Sequence, residues 1–220
     1  MAWKNRAGDW IDADGRAQGN AAFARLSLTN DPTKLAEWEV TSALRASGNR
    51  GSRSVSLVLA RLPAGGNGIA YFYSREDPEL VRRPRLRLEF ANAQTEYLWP
   101  SADTHTDCST NSSLGRATAL YAGAGTGKGA GGAGIALIEF DLSEIRNKTA
   151  IAKATLQLIR PPQRYGDLSV GVFLLDAPPV ASGTKGPPGL AAGYPGAKGI
   201  ERAPDVYMAT GFEPARWQDS

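Results

Sequence analysis

A chain of 220 residues, 42% hydrophobic and 21% charged, has the composition of a folded globular protein, and its length suits one well-buried core. Its 25 Gly and 14 Pro exclude a helical bundle, and a net charge of +3 is too small to imply a nucleic-acid partner. With His105 its only histidine and Cys108 its only cysteine, the chain cannot close an internal disulfide and lacks the parts for a zinc cluster or for Cys-His or Ser-His catalysis.

Residues 1–6 carry no apolar run of the kind that starts an export signal, and no stretch approaches the roughly 18 apolar residues needed to cross a bilayer, so neither leader nor anchor is expected. Asp9, Asp12 and Asp14, followed by Gly15, crowd three carboxylates before a turn in a spacing loosely like a calcium loop. The bidentate Glu that completes such a loop is missing, and Asx turns account for the same residues.

Short segments of alternating apolar and polar residues follow, punctuated by Gly, Pro, Asn and Asp, and predict strands at 21–28, 35–41, 54–60, 69–75, 84–90, 117–121, 135–141, 152–160 and 168–175. Helix is expected only over 41–46. Trp38 shares an apolar face with Ala36 and Val40 and reads as core. Trp3, Trp10 and Trp99 adjoin turns, where they serve either as rim platforms or as plugs for the ends of a sandwich. In 84–90, Leu86, Leu88 and Phe90 take one face while Arg85, Arg87 and Glu89 take the other, the mark of a strand with one wet side. In 69–75, placing Phe72 inward puts Tyr71, Tyr73 and Arg75 together on the outer face.

The glycine-rich stretch at 123–134 fails as a phosphate loop, because Ala122 stands where the first glycine is required, Gly129 follows Lys128 in place of Ser or Thr, and a strand comes next. It reads as a hairpin loop. Past Pro178, a Pro- and Gly-rich run without periodicity predicts a linker, and residues 179–220 are expected to be poorly structured or to lie along the surface. The expected architecture is all-β: a jelly-roll-like sandwich of two antiparallel sheets over residues 1–178, with a loose C-terminal tail.

Five stretches together resemble the DNRLRE-type domains of secreted bacterial and archaeal proteins, which also occur among carbohydrate-binding modules. They are Glu37-Trp38-Glu39-Val40-Thr41-Ser42-Ala43-Leu44, Tyr73-Ser74-Arg75-Glu76, Arg83-Pro84-Arg85-Leu86, Phe140-Asp141-Leu142-Ser143-Glu144-Ile145 and Ala154-Thr155-Leu156-Gln157-Leu158. The order is permuted: pieces similar to that family's C-terminal half come first, at about 1–92, and pieces similar to its N-terminal half follow, at about 100–178. One sandwich in permuted order, with the two stretches interleaved in one core, fits better than two half-modules, which would expose raw sheet edges. Beyond the linker, Gly189-Leu190-Ala191-Ala192-Gly193-Tyr194-Pro195-Gly196, with Gly199-Ile200-Glu201 and Gly211-Phe212-Glu213, resembles the start of a polysaccharide lyase-like segment. The resemblance implies a non-catalytic, ancillary module of a secreted or cell-surface protein, with a catalytic domain following in the same polypeptide.

The chemistry this implies is carbohydrate binding: Tyr71 and Tyr73 stacking on sugar faces, with Arg75, Arg85 and Arg87 meeting the carboxylates of a polyuronate. From Arg45 to Arg87 nine Arg face only Glu76, Asp77 and Glu79, which suits an acidic polymer and equally a solvated sheet edge. The competing readings are a lyase fragment, for which a Tyr73–Arg75 pair is the candidate, and a surface domain with no ligand; paired carboxylates for glycosidic cleavage would have to come from Glu37, Glu39, Glu76 or Glu139. No cofactor is implied apart from the calcium considered at the Asp loop.

Overall fold

The computed structural model describes residues 10–29, 35–63, 68–106, 115–124, 133–145, 150–162 and 167–175. Asp9, Trp3, Cys108, the glycine-rich residues 125–132 and the whole of 176–220 lie outside the described residues. In chain order the elements are β1 (Trp10–Ile11), β2 (Ala24–Leu28), β3 (Leu35–Glu39), α1 (Thr41–Asn49), β4 (Ser54–Arg61), β5 (Ile69–Tyr73), a 3-10 turn (Leu80–Arg82), β6 (Arg85–Phe90), β7 (Thr95–Leu98), β8 (Ala102–His105), β9 (Ala119–Ala124), β10 (Ala133–Gly134), β11 (Ala136–Asp141), β12 (Ile151–Ile159) and β13 (Leu168–Leu175). The protein is all-β, with one short α-helix among the described residues.

Every strand pairing is antiparallel. Where the sequence suggested two sheets, the strands form three ladders. Sheet A runs β1-β13-β4-β11-β8, with β2 also on β13; sheet B runs β3-β12-β6-β7; sheet C runs β10-β9-β5. Only Ile135 separates β10 from β11, so the chain steps from sheet C into sheet A within one residue. Each sheet combines strands from the first and second stretches of the chain: β4 lies between β13 and β11, β12 between β3 and β6, and β5 beside β9.

Sheet A differs from the half-wet strands that alternation suggests. Along β4, Val55, Leu57 and Leu59 enter the main core while Val58 and Ala60 are buried on the opposite side with Leu137, Phe173 and Ile135. Trp10 joins that second cluster, 5.9 Å from Phe173, and its indole N–H reaches the Gly19 carbonyl at 3.3 Å. A strand buried on both faces shows an unbroken apolar run, as Leu-Val-Leu-Ala does at 57–60.

The main core joins all three sheets: Leu57, Leu59 and Ile138 from A, Leu86, Leu88, Leu156 and Leu158 from B, and Phe72 and Leu120 from C are each at most 1% exposed. Trp38 stands at their junction. Alternation along β3 turns it inward with Ala36 while Leu35, Glu37 and Glu39 face out. Its ring meets Phe72 edge-on at 5.8 Å, and its indole N–H donates to the Val170 carbonyl of β13 at 3.2 Å. Helix α1 follows at once. The Glu39 carboxylate accepts the Thr41 N–H at 2.9 Å, and Thr41 Oγ1 accepts the Ala154 N–H of β12 at 2.9 Å, so the helix start is tied to sheet B.

Truncating Trp38→Ala removes a fully buried ring and its hydrogen bond and is expected to cost about 3–5 kcal/mol. Trp38→Phe keeps the contact with Phe72 and is expected to cost roughly 1–3 kcal/mol. Urea unfolding midpoints should order wild type, Trp38→Phe, Trp38→Ala; equal loss in the two variants would deny the junction role of the ring.

Candidate functional site

The two outward rows that the sequence suggested, Tyr71, Tyr73 and Arg75 in one and Arg85 and Arg87 in the other, fall on two different sheets and a turn. On β5, Phe72 is fully buried while Tyr71 and Tyr73 are half-buried on the other face of sheet C. Tyr71 lies opposite Tyr121 in register, their rings 5.8 Å apart. Tyr121 packs on His105 at 4.2 Å and closes over Gly134, where a Cβ would run into its ring. Tyr71 is therefore part of a packed aromatic row and not a free platform. Tyr73 carries the Arg82 guanidinium 5.2 Å above its ring.

Arg75 does not extend this face, which corrects the period-two expectation. Strand β5 ends at Tyr73, and the buried Ser74 donates its hydroxyl to the Ala117 carbonyl while the Asp77 N–H returns to the Ser74 carbonyl at 3.2 Å. The turn ends the alternation. Arg75 then donates its backbone N–H to Asp103 at 2.7 Å, and its guanidinium binds the Ser101 carbonyl and Glu76, the latter at 3.1 Å.

Arg85 and Arg87 lie instead on the outer face of sheet B, where register builds a polar ladder across four strands. Glu37 of β3 pairs with Gln157 of β12, Gln157 with Arg85 of β6, and Arg87 with Tyr97 of β7. The Gln157 amide donates to Glu37 Oε1 at 2.5 Å, and its oxygen accepts from Arg85 Nε at 2.6 Å. The Arg85 guanidinium sits 5.3 Å over the Tyr97 ring, which is 49% exposed, and Trp99, two residues on, is 42% exposed. In the next row Glu39, Thr155 and Arg87 align, with Arg87 bound to Glu89 at 2.7 Å. Interaction with Glu89 raises the affinity of the Arg87 guanidinium for its proton, against a smaller opposing effect of burial.

Tyr97 and Gln157 were not legible as site residues. The segment Thr95-Glu96-Tyr97-Leu98 is a short edge strand with no apolar alternation, and the one local signal is the Asn92 turn, where the side-chain oxygen accepts the Gln94 N–H at 3.1 Å. Gln157 alternates with Leu156 and Leu158, which marks it as outward, but it gains a role only when β12 is flanked by β3 and β6.

Of the acids, Glu37 and Glu39 lie on sheet B, Glu139 on sheet A with its carboxylate accepting from Ser56 at 2.9 Å, and Glu76 in the turn after β5. In the Asp loop, Asp12 is buried, and its carboxylate accepts the backbone N–H groups of Asp14, Arg16 and Ala21 at 3.0, 2.8 and 3.3 Å. Asp14 faces the exposed Arg16 at 3.7 Å. Burial pushes the Asp12 carboxyl upward, but the three amides together hold it below the usual carboxylate range. The residue organises a turn through these three amides. The Glu39 carboxyl is likewise held low, by hydrogen bonding to Thr41, with Lys153 and Arg45 adding to the effect.

Asp103 is the opposite case. It is 5% exposed on β8, and burial lifts its carboxyl from 3.8 to about 7 despite the Arg75 N–H and the nearby Arg75 and Arg83 charges, with Glu76 adding to the rise.

No protein-family model, curated protein or solved structure matches this chain.

The buried acid fixes a pH dependence. Between pH 3.8 and about 7 the folded protein holds the Asp103 proton while the unfolded chain has lost it, so stability falls as pH rises through that window, by up to about 4 kcal/mol. Asp12 and Glu39, held low, act in the other sense and weaken the fold as pH drops below the ordinary carboxylate range. The melting temperature is expected to fall between about pH 5 and pH 7. Asp103→Asn, which keeps an oxygen for the Arg75 N–H, should remove most of that fall; an identical slope in the variant would show that another group titrates.

Proposed function

We propose that the outer face of sheet B holds polysaccharide, and that the chain is a non-catalytic carbohydrate-binding module of a secreted or surface polysaccharide-active protein. The observation that carries this reading is the half-exposed Tyr97 ring beside Arg85, at the end of the Glu37–Gln157–Arg85 ladder. An exposed aromatic offers its apolar face to the C–H groups of a sugar ring, and flanking planar amide, carboxylate and guanidinium groups match ring hydroxyls in fixed directions. Four hydrogen-bonded strands keep these groups in place, so little ordering remains to be done on binding. The likeness of five stretches to DNRLRE-type domains points the same way.

Tyr71 is engaged with Tyr121 and Tyr73 is half-buried, while Tyr97 is among the exposed large side chains, so Tyr97 replaces them as the stacking residue in this reading. Stacking contributes roughly 1 kcal/mol per ring, and exposed polar and charged pairs contribute about 0–1 kcal/mol each. The expected dissociation constant is on the order of 0.1–1 mM, about 4–5.5 kcal/mol.

Affinity electrophoresis in gels containing soluble polysaccharides tests this directly. Tyr97→Ala and Arg85→Ala are expected to weaken retardation by about fivefold each, and Tyr71→Phe is expected to leave it unchanged. Retardation that survives both sheet B substitutions would place binding elsewhere on the molecule.

A further inference from the structure

We infer that this face takes a neutral polysaccharide laid across the strands, in preference to a polyuronate. The inference rests on the sheet B reading and names its ligand class from the arrangement of charge. On the outer face Arg85, Arg87 and Lys153 stand against Glu37, Glu39 and Glu89, brought together by the registers Glu37–Gln157–Arg85, Glu39–Thr155–Arg87 and Lys153–Glu89. On the paired strands themselves three cations and three carboxylates balance, and Arg45 of α1 acts on Glu39 from beside them.

The two arginines are also already engaged: Arg87 is bound to Glu89, and Arg85 is bound to Gln157 and stacked on Tyr97. A ligand carboxylate would have to displace one of these partners and would then lie beside Glu37, Glu39 or Glu89. The arginine excess read from the sequence does not gather here: Arg75 is turned to Ser101 and Glu76, Arg82 is bound to Glu79 at 2.7 Å, and Arg83 is bound to the Asp77 carbonyl at 2.7 Å.

A second observation points to hydroxyl chemistry. Arg87 Nε and Thr155 Oγ1, on cross-strand partners in the middle of the face, have no hydrogen-bond partner among the described residues. Thr155 is 5% exposed and the Arg87 side chain 30%, so Arg87 is the member that an arriving ligand can shift. A sugar hydroxyl can accept from the first atom and donate to the second without adding charge next to the three glutamates. The direction of the chain follows from the ladder. Glu37, Gln157, Arg85 and Tyr97 are spread over four adjacent strands, about 14 Å at the spacing of an antiparallel sheet.

The test uses the native chain in affinity gels containing a soluble neutral β-glucan, a mannan or a xylan, against gels containing alginate or pectate, each at low and high salt. Retardation is expected on at least one neutral polymer, with less than about twofold change between roughly 0.1 and 1 M salt, because no exposed ion pair with the ligand is there to be screened. Neither acidic polymer should retard it. Retardation by the acidic polymers alone, fading with salt, would overturn this inference and leave the sheet B reading in place. No retardation by any polymer would overturn both. Thr155→Val supplies a check that does not depend on loss of folding. Removing a buried hydroxyl with no partner should leave the unfolding midpoint equal or higher, while neutral-glycan retardation falls by about threefold or more. Undiminished retardation in that variant would count against the hydroxyl-reading pair.

Discussion

The fold depends on one indole. Trp38 leaves β3 into the core, meets Phe72 of sheet C on its edge, and spends its N–H on the Val170 carbonyl of sheet A, so a single side chain from sheet B touches both other sheets. A buried indole N–H without an acceptor would cost on the order of 1–3 kcal/mol, and the β13 carbonyl removes that cost while fixing how far the sheets can slide. The remaining core packs outward from this contact. Val55, Leu57 and Leu59 lie on one wall, and Leu86, Leu88, Leu156 and Leu158 on the other.

The outer face of sheet B inherits its precision from that inner packing. Because Leu86, Leu88, Leu156 and Leu158 are fully buried, period two pins Arg85, Arg87, Thr155 and Gln157 to the opposite side. A slip of one residue would put arginine into the core, so the register that protects the apolar face also sets the ladder. Trp38 does the same for Glu37 and Glu39. Its inward position turns both carboxylates out, and Glu39 then closes the start of α1. The side chains of the proposed glycan face are thus aimed by residues that never touch solvent.

Charge is handled in two different ways. On the outer face each arginine of the paired strands has a carboxylate or amide neighbour, which keeps its geometry fixed. At the β8 edge a single carboxyl, Asp103, is enclosed with one backbone N–H as partner, and burial outweighs the nearby arginines. Asp12 is enclosed as well, yet three amides hold its carboxyl low. The number of donors, and not burial alone, separates the two.

By itself the sequence determined the all-β class and the positions of the strands with strong patterns. A strand with one buried face records its orientation in alternate residues, as Leu86 and Leu88 do against Arg85 and Arg87, and Ala36 and Trp38 do against Glu37 and Glu39. Burial of Trp38 was legible for the same reason, while that of Phe72 followed from the resemblance to DNRLRE-type domains and not from alternation. The short edge strands β7 and β8 were not, because Thr-Glu-Tyr-Leu and Ala-Asp-Thr-His lack that alternation. The double-sided burial of sheet A, the re-aiming of Arg75 by the Ser74 turn, and the meeting of Glu37, Gln157, Arg85 and Tyr97 were decided by tertiary structure alone. Each depends on which strands become neighbours and in what register, and Glu37 and Gln157 are 120 positions apart. Local pattern reports which way a side chain faces; only the assembled sheet decides what it faces.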